Sequence, residues 1–299
     1  MSKEKMLVSY CMVTYNEEKF IKEALYSAFS QDYSPMEIVI CDDCSTDNTF
    51  AIIEEEVKKY TGDKKIVYVR NEKNLGVREN YNKVLYDLSK GDIIIFGDGD
   101  DISISSRTSD YVKCFEDYPD VMSISCLSDE ISENGISLMP KNFEWSNSRS
   151  IYSLEDYVEN TYLTIYSGDS RGLRRCVVDK FPRIQYAISE DTTLFIRSLL
   201  LGSGCYLRFP YVKRRHHDNN VSKRPMDKSV TNLLKKQLNC DVDWAYNHGY
   251  ISSPKKEKIC KKIVLISKLF NIYNVSGLSG IKPFVYRVLK KVFKVKLFE

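Results

Sequence analysis

The clearest passage from strand to loop in the chain is Glu37-Ile38-Val39-Ile40-Cys41, followed directly by Asp42-Asp43-Cys44-Ser45-Thr46-Asp47-Asn48. The first part is short and apolar, as a buried strand is, and the second part is polar. Asp47 and Asn48 are common residues at the start of a helix. Apolar side chains then recur at helical spacing, at Ile52, Ile53, Val57 and Tyr60. This segment therefore predicts a strand, a polar loop and a helix in that order.

The same alternation runs through the first 125 residues. Further β-rich runs predict strands at Leu7–Val13, Lys65–Val69, Asp92–Phe96 and Val121–Ser125. Helical spacing of apolar residues predicts helices over Phe20–Ala28 and Tyr81–Leu88, and Gly91 is a plausible stop signal after the second. Such alternation implies an α/β fold, in which helices cover both faces of a mostly parallel sheet.

The second part of the chain has less regular patterns. Residues 126–165 show few clear periods, whereas Asp191–Leu201 predicts a helix and Tyr206–Val212 a pair of strands. From Lys228 onward the pattern is helical and polar. We therefore predict an α/β domain at residues 1–225, with halves that meet near residue 125, and a helical region at residues 226–299.

The composition is that of an ordinary globular protein, with 299 residues, 43% hydrophobic and 28% charged. No apolar run reaches the roughly 18–20 residues of a membrane-spanning helix, and the N-terminus lacks a signal-peptide cleavage site. We therefore expect a cytoplasmic protein. The nine cysteines are scattered. Cys41 and Cys44 form a C-x-x-C, but no second pair or histidine follows at zinc-site spacing, so we expect them to pack as small apolar side chains.

Three predicted strands end in polar clusters, namely Thr14-Tyr15-Asn16-Glu17, Asp42-Asp43-Cys44-Ser45-Thr46-Asp47 and Asp98-Gly99-Asp100-Asp101. Ligands of open α/β sheets bind at the carboxyl ends of the strands. Acidic residues are also turn formers, which is the alternative for any single cluster. Three clusters at one edge favour a site, because carboxylates in proximity repel one another unless a cation or hydrogen-bond donors offset them. The chain lacks both G-x-G-x-x-G and the P-loop pattern, which disfavours dinucleotide enzymes and P-loop NTPases.

The ordered set of motifs resembles glycosyltransferase family 2, which has the GT-A (Rossmann-like) fold. The resemblance covers roughly residues 6–222 and is carried by Val13–Glu17, Ser27–Gln31, Glu37–Thr49, Asn74–Val77, Gly91–Ile94, Asp98–Asp101, Ser189–Asp191 and Arg214–Ser222. It implies that the half at about 1–125 binds a nucleoside-diphosphate sugar and that the half at about 126–225 binds the acceptor.

The resemblance also implies roles for matched residues. The nucleotide sugar would be bound by Thr14, Tyr15, Asn16, Glu17, Asp42, Asp43 and Asp98. Within this set Tyr15 would stack on the base, Asp43 would accept from a base N–H, and Asp42 would support that contact. One departure is Cys44, which stands where the family usually has glycine.

A metal site is implied at the D-x-D element. Asp98, Asp100 and His217 would hold Mn²⁺ or Mg²⁺ against the diphosphate, although Asp101 is an alternative to Asp98. His217 follows a basic run, Lys213–His216, and both histidines could instead belong to a solvated basic loop.

Catalysis is implied at Glu190 and Asp191. Asp191 would take the proton from an acceptor hydroxyl that attacks the anomeric carbon with inversion, and Glu190 lies beside it. The alternative is an acidic helix start, which the helix dipole favours. Ser170, Arg171, Arg174 and Arg175 precede this pair, where they would shape the acceptor pocket or lie solvated at the surface.

The C-terminal tail is strongly basic. Residues 255–299 hold twelve Lys or Arg against two acids, a charge of +10 in a chain whose total is +3, so the remainder carries −7. Lys282–Lys294 fits a basic amphipathic helix, which is typical of membrane interfaces. The alternative is a helix that packs on the core. We expect a membrane surface at the inner face of the cell membrane, and not nucleic acid, as the tail's partner.

The resemblance predicts a metal-dependent inverting glycosyltransferase. The expected donor is a UDP-sugar, and the acceptor a saccharide or lipid-linked oligosaccharide of surface-polysaccharide, O-antigen or lipopolysaccharide synthesis. A nucleotidyltransferase would show a glycine- and lysine-rich loop after the first strand, where Thr14–Glu17 stands. A degenerate scaffold or nucleotide-binding subunit would have lost acids, whereas Asp43, Asp98, Asp100 and Asp191 are all present.

Overall fold

The computed structural model describes residues 4–140, 146–159, 168–187, 190–218, 220 and 228–275. Its first half consists of β1 (Val8–Thr14), α1 (Ile21–Phe29), β2 (Met36–Asp42), α2 (Thr49–Lys59), β3 (Lys65–Arg70), α3 (Val77–Asn82) with a π-helical turn at Lys83–Leu88, β4 (Ile93–Asp98), β5 (Ile102–Ser103), α4 (Arg107–Asp117) and β6 (Val121–Ser132). The five predicted strands and three predicted helices of this half are confirmed.

The second half consists of β7 (Arg149–Tyr152), α5 (Leu154–Glu159), a 3₁₀ turn at Gly168–Ser170, β8 (Gly172–Arg174), α6 (Cys176–Asp179), α7 (Glu190–Leu201), β9 (Ser203–His216), α8 (Lys228–Asn247) and α9 (Ser253–Val275). The helices predicted at Asp191–Leu201 and beyond Lys228 are confirmed. No helix in the described part of the chain combines the length and apolar character that a membrane crossing requires.

The strands form one sheet in the order β3-β2-β1-β4-β8-β6-β9-β5, and β7 pairs with β9. Strand β1 lies between β2 and β4 and is parallel to both. Its register sets Thr14 opposite Asp42 and Val13 opposite Asp98. The three polar clusters therefore begin at one edge of the sheet, as predicted.

The prediction of two strands through Tyr206–Val212 is wrong. A single long strand, β9, runs from Ser203 to His216 and pairs in parallel with β6 over the whole length of both. Register shifts between Cys126 and Ser128 let the pair bend, and Pro210 is accommodated at one of them. A strand pattern that is interrupted by proline predicts two strands. Here the shifts in register accommodate the proline within one strand.

Alternate side chains of the strands fill cores on the two faces of the sheet. Tyr10 and Met12 pack on one face with α1 and α4, whereas Cys11 and Val39 pack on the other with α7. Helices α8 and α9 add Leu238, Val242 and Ile259, among others, to this second core. The division near residue 225 stays a prediction, because residues 221–227 and the amphipathic tail at 282–294 lie outside the described residues.

Candidate active site

Two loops at the edge of the sheet are held together by side-chain hydrogen bonds. Asn16 Oδ1 accepts from the Thr46 backbone N–H at 2.8 Å, and Ser45 Oγ accepts from the Asn16 N–H at 2.9 Å. Asp42 in turn accepts from the Ser45 N–H at 2.9 Å and from its hydroxyl. Asp42 is fully buried, so it shapes the loop from below.

Cys44, at the position where the family usually has glycine, adopts the left-handed backbone conformation that glycine favours. Its φ is 62°, and that of Asn16 in the facing loop is 57°. This conformation costs a residue with a Cβ about 1–2 kcal/mol. The loop therefore keeps a turn that favours glycine despite the substitution. Cys41 and Cys44 are both free thiols.

Asp43 is surrounded by donors from the segment that follows β3. Its Oδ1 accepts from the Leu75 N–H and from Asn71 Nδ2, both at 2.8 Å, and its Oδ2 accepts from the Gly76 N–H at 2.8 Å. A carboxylate offers about four acceptor positions, so one is left for a ligand. The ring of Tyr15, 40% exposed, is open to stacking.

Acidic side chains gather around Gly99. Glu17 Oε2 accepts from Thr14 Oγ1 at 2.6 Å, and a Cβ on Gly99 would lie only 1.9 Å from that oxygen. Burial and the nearby charge of Asp100 raise the pKa of Glu17 well above its usual range. Burial and Asp100 also raise the pKa of Asp98 to about 7, although a hydrogen bond from the Tyr81 hydroxyl opposes this rise. This cluster carries more negative charge than its surroundings compensate.

Asp100 is bound to the segment that follows β9. Its Oδ2 lies 2.8 Å from His217 Nε2 and 3.1 Å from Asn220 Nδ2, and the His217 ring packs on Phe20 at 4.8 Å. Asp101 faces another way, since its Oδ1 accepts from the Arg215 N–H at 2.8 Å. Asp98 and Asp101 are the two candidates for a second metal ligand beside Asp100. Of these, Asp101 is hydrogen-bonded to β9, which favours Asp98.

A hard divalent cation needs several oxygen ligands. No group of three or more His, Cys, Asp or Glu side chains in the described ranges is arranged to hold a metal ion. Asp98 and Asp100 nevertheless offer carboxylate oxygens in a cluster with excess negative charge, which is what Mg²⁺ and Mn²⁺ prefer. These two carboxylates fit part of the ligand set of such an ion, and a complete set would need ligands from elsewhere.

The basic run before His217 is not a solvated loop. It belongs to β9, in which Arg215 is buried and donates to the backbone oxygens of Asp100 and Glu133 at 3.0 and 2.6 Å. His216 and Arg214 both lie against the Glu130 carboxylate. Arg215 is therefore committed to the protein and fixes the strand next to Asp100.

Glu190 and Asp191 begin α7. Asp191 is partly exposed, and its Oδ1 accepts from the N–H of the next residue, Thr192, at 2.6 Å within the first turn of the helix. Glu190 is buried, with Oε1 at 3.4 Å from Arg171 Nη2. Burial and the charge of Asp191 raise the pKa of Glu190 to about 8, against the opposing effect of Arg171. Asp191 is thus the more accessible acid of the pair.

The arginines before this pair are not solvated at the surface, whereas a role in the acceptor pocket stays a prediction. Arg171 is fully buried, and its guanidinium lies over the Phe96 ring at 4.7 Å. Arg174 donates to the backbone oxygens of Val121 and Phe115, and Arg175 to those of Gly91 and Leu85. Charge alone predicts exposure, whereas Arg174 and Arg175 satisfy backbone carbonyls inside the fold.

Sequence reasoning missed Asn71, Tyr81 and Lys83. Asn71 directly follows β3 at the same edge as the three clusters, so the rule about strand ends could have found it. Tyr81 and Lys83 lie on a helical segment, where only the tertiary fold brings them to Asp98 and Asn71.

A family model described as "Glycosyl transferase family 2" matches residues 9–181, more than half of the chain. This chain belongs to glycosyltransferase family 2. Among curated relatives of this family 2 member is the Escherichia coli UDP-Glc:alpha-D-GlcNAc-diphosphoundecaprenol beta-1,3-glucosyltransferase WfaP, 36% identical over 110 residues, which are 37% of this chain and 41% of that protein. The chain spans about half or less of the length of the curated relatives that it matches.

Solved structures show the same fold. The Staphylococcus aureus TarS 1–349 in complex with UDP-GlcNAc superposes with a TM-score of 0.66 at 19% identity, covering 87% of this chain and 72% of that one. The Pyrobaculum calidifontis mannosyltransferase PcManGT in complex with GDP-Man and Mn²⁺ superposes with a TM-score of 0.57 at 16% identity, covering 99% and 82%. The GT-A fold of this family 2 glycosyltransferase, with its C-terminal helices, is thereby confirmed.

Proposed function

We propose that this chain is an inverting glycosyltransferase that moves a sugar from a UDP-sugar to a hydroxyl of a saccharide or lipid-linked oligosaccharide in surface-polysaccharide or O-antigen synthesis. The observation that carries the proposal is the convergence of Asp43, Asp98 and Asp100 at one sheet edge, with His217 on Asp100. The relative WfaP is named for UDP-Glc and a diphosphoundecaprenol-linked acceptor, and TarS was crystallised with UDP-GlcNAc.

In this proposal the chain's own residues bind and orient the donor. Tyr15 stacks on the base, and the free acceptor position of Asp43 takes a base N–H. Asp98, Asp100 and His217 would hold Mn²⁺ or Mg²⁺. When bound, such an ion stabilises the charge that develops on the departing diphosphate.

Proton transfer falls to Asp191. As the more accessible acid of the pair it accepts the proton of the acceptor hydroxyl, whose oxygen then attacks the anomeric carbon from the side opposite the diphosphate. Glu190, buried beside Arg171, would hold the start of α7 in place.

Release of UDP from a panel of UDP-sugars, with a GlcNAc-diphospholipid as acceptor, tests the proposal. We expect turnover with at least one donor, and a loss of about 10²–10⁴-fold in Asp191→Asn with nucleotide affinity retained. Asp179→Asn, an exposed acid on α6, is the matched control and should leave turnover unchanged. Nucleotide binding without turnover in the wild type would instead favour a degenerate nucleotide-binding subunit.

A further inference from the structure

A relay of three side chains leads from the π-helical turn to Asp43. Lys83 Nζ donates to Asn71 Oδ1 at 2.8 Å, and Asn71 Nδ2 donates to Asp43 Oδ1 at 2.8 Å. Asn71 is buried, whereas Lys83 is partly exposed at the first residue of the turn. The relay therefore connects a cation near the surface to the carboxylate proposed to contact the base.

The direction of this relay is fixed by Lys83. An ammonium group can only donate, so the atom of Asn71 that faces it must be the oxygen. The amide nitrogen must then face Asp43. Without Lys83 the amide loses its charge-assisted hydrogen bond and is held in this orientation less firmly.

A second amide reinforces this orientation. Asn71 Nδ2 also lies 3.1 Å from Asn80 Oδ1, and Asn80 Nδ2 donates to the Cys41 backbone oxygen at 3.3 Å. Because a backbone carbonyl can only accept, the Asn80 amide is fixed as well. Each group around Asp43 is thus held as a donor.

An ionised carboxylate can only accept, and these donors determine which acceptor position of Asp43 stays free. Three N–H groups, from Leu75, Gly76 and Asn71, already point at its two oxygens, which leaves about one acceptor position. A ring N–H fills that position. Uracil, thymine and guanine present such an N–H on their pairing edge, whereas cytosine presents a ring nitrogen that is itself an acceptor.

We propose that Asn71 and Lys83 are positioning residues that hold the Asp43 carboxylate with one acceptor position aimed at a ring N–H of the base, so that UDP binds in preference to CDP. The inference rests on the proposed nucleotide-sugar function. It adds to that function the residues that determine which base is bound and the group of the base, a ring N–H, that they recognise.

The test is the ratio of the CDP and UDP dissociation constants, measured by titration calorimetry with Mn²⁺ present. The two nucleotides differ only on the pairing edge of the base, so the ratio isolates this contact from the diphosphate. We expect the wild type to prefer UDP by about 10- to 100-fold, the range of one hydrogen bond to a charged group. Lys83→Met should reduce that preference about tenfold and leave the affinity for pyrophosphate unchanged.

Two variants separate positioning from general loss of structure. Lys83→Arg retains a cationic donor toward Asn71 and should restore the preference for UDP. Lys73→Met removes an exposed cation from the segment that contains Asn71 and should change neither dissociation constant. If Lys83→Met weakens UDP and CDP equally, or leaves their ratio at the wild-type value, the inference is wrong although the proposed function stands. If the wild type binds no nucleotide, the proposed function fails and the inference fails with it.

Discussion

Asp100 accepts from His217 and Asn220, both on the segment after β9, and so joins the D-x-D loop to the C-terminal part of the fold. We predict that Asp100→Ala lowers kcat/KM for the nucleotide sugar by at least about 100-fold, and His217→Ala by about 10- to 100-fold. His216→Ala is the matched control, because that ring pairs with Glu130. Steady-state kinetics of the three variants is the measurement, and equal losses in the two histidine variants would contradict the assignment of His217.

Glu190 gives a prediction about pH. Its pKa is raised to about 8 in the fold, mainly by burial. Its contribution to the free energy of unfolding is therefore fully present below the unfolded pKa of about 4.3 and is lost as the pH rises through 8. Glu190→Gln mimics the protonated form. The melting temperatures of metal-free wild type and Glu190→Gln should therefore agree near pH 5. By pH 8.5 that of Glu190→Gln should be higher by a few degrees. A constant difference across this range would show that Arg171 keeps Glu190 ionised.

At the scale of elements, α8 is fixed to α7 by a buried bidentate ion pair. Arg197 donates to both oxygens of Asp241 at 3.0 and 2.9 Å, and both side chains are almost fully buried. We predict that Asp241→Ala lowers the free energy of unfolding by about 3–5 kcal/mol, because it leaves an unpaired buried charge. Asp243→Ala, on the same helix and paired with Lys256 at the surface, should cost less than about 1 kcal/mol. Chemical denaturation compares the two, and equal costs would mean that α8 adds little to the core.

The elements also show how far sequence patterns reach. Period-2 and period-3.6 patterns predicted β1–β4 and their helices because each has one buried face, and strand ends then located Asp43, Asp98 and Asp100. The same rule could have found Asn71, which follows β3, but not Lys83, since its contact with Asn71 depends on how the π-helical turn lies against that segment. The surroundings of Arg174 and Arg175 were missed for a similar reason, because their partners are backbone carbonyls far away in the chain. Those of Arg171 were missed because only the fold brings it against Phe96 and Glu190.

At the scale of the whole molecule, charge is divided between an acidic body and a basic tail. We predict that the full chain sediments with vesicles that contain anionic lipid, more weakly as salt rises, and not with neutral vesicles. Replacing Lys290 and Lys291 by Glu should weaken this binding at least tenfold. Replacing Lys255 and Lys258 on α9 should have less effect, and an equal effect of both pairs would contradict a role for the tail.

In our proposal the sheet edge binds a nucleoside diphosphate through a metal ion. A thermal-shift titration of the wild type and of Asp100→Ala with UDP, GDP, dTDP and CDP, with and without Mn²⁺, tests it most directly. At about 100 times its dissociation constant a ligand of the folded state stabilises it by about 2.7 kcal/mol. We predict that UDP raises the melting temperature only when Mn²⁺ is present and that Asp100→Ala abolishes this rise. A melting temperature that no nucleotide changes, with or without Mn²⁺, would contradict the claim.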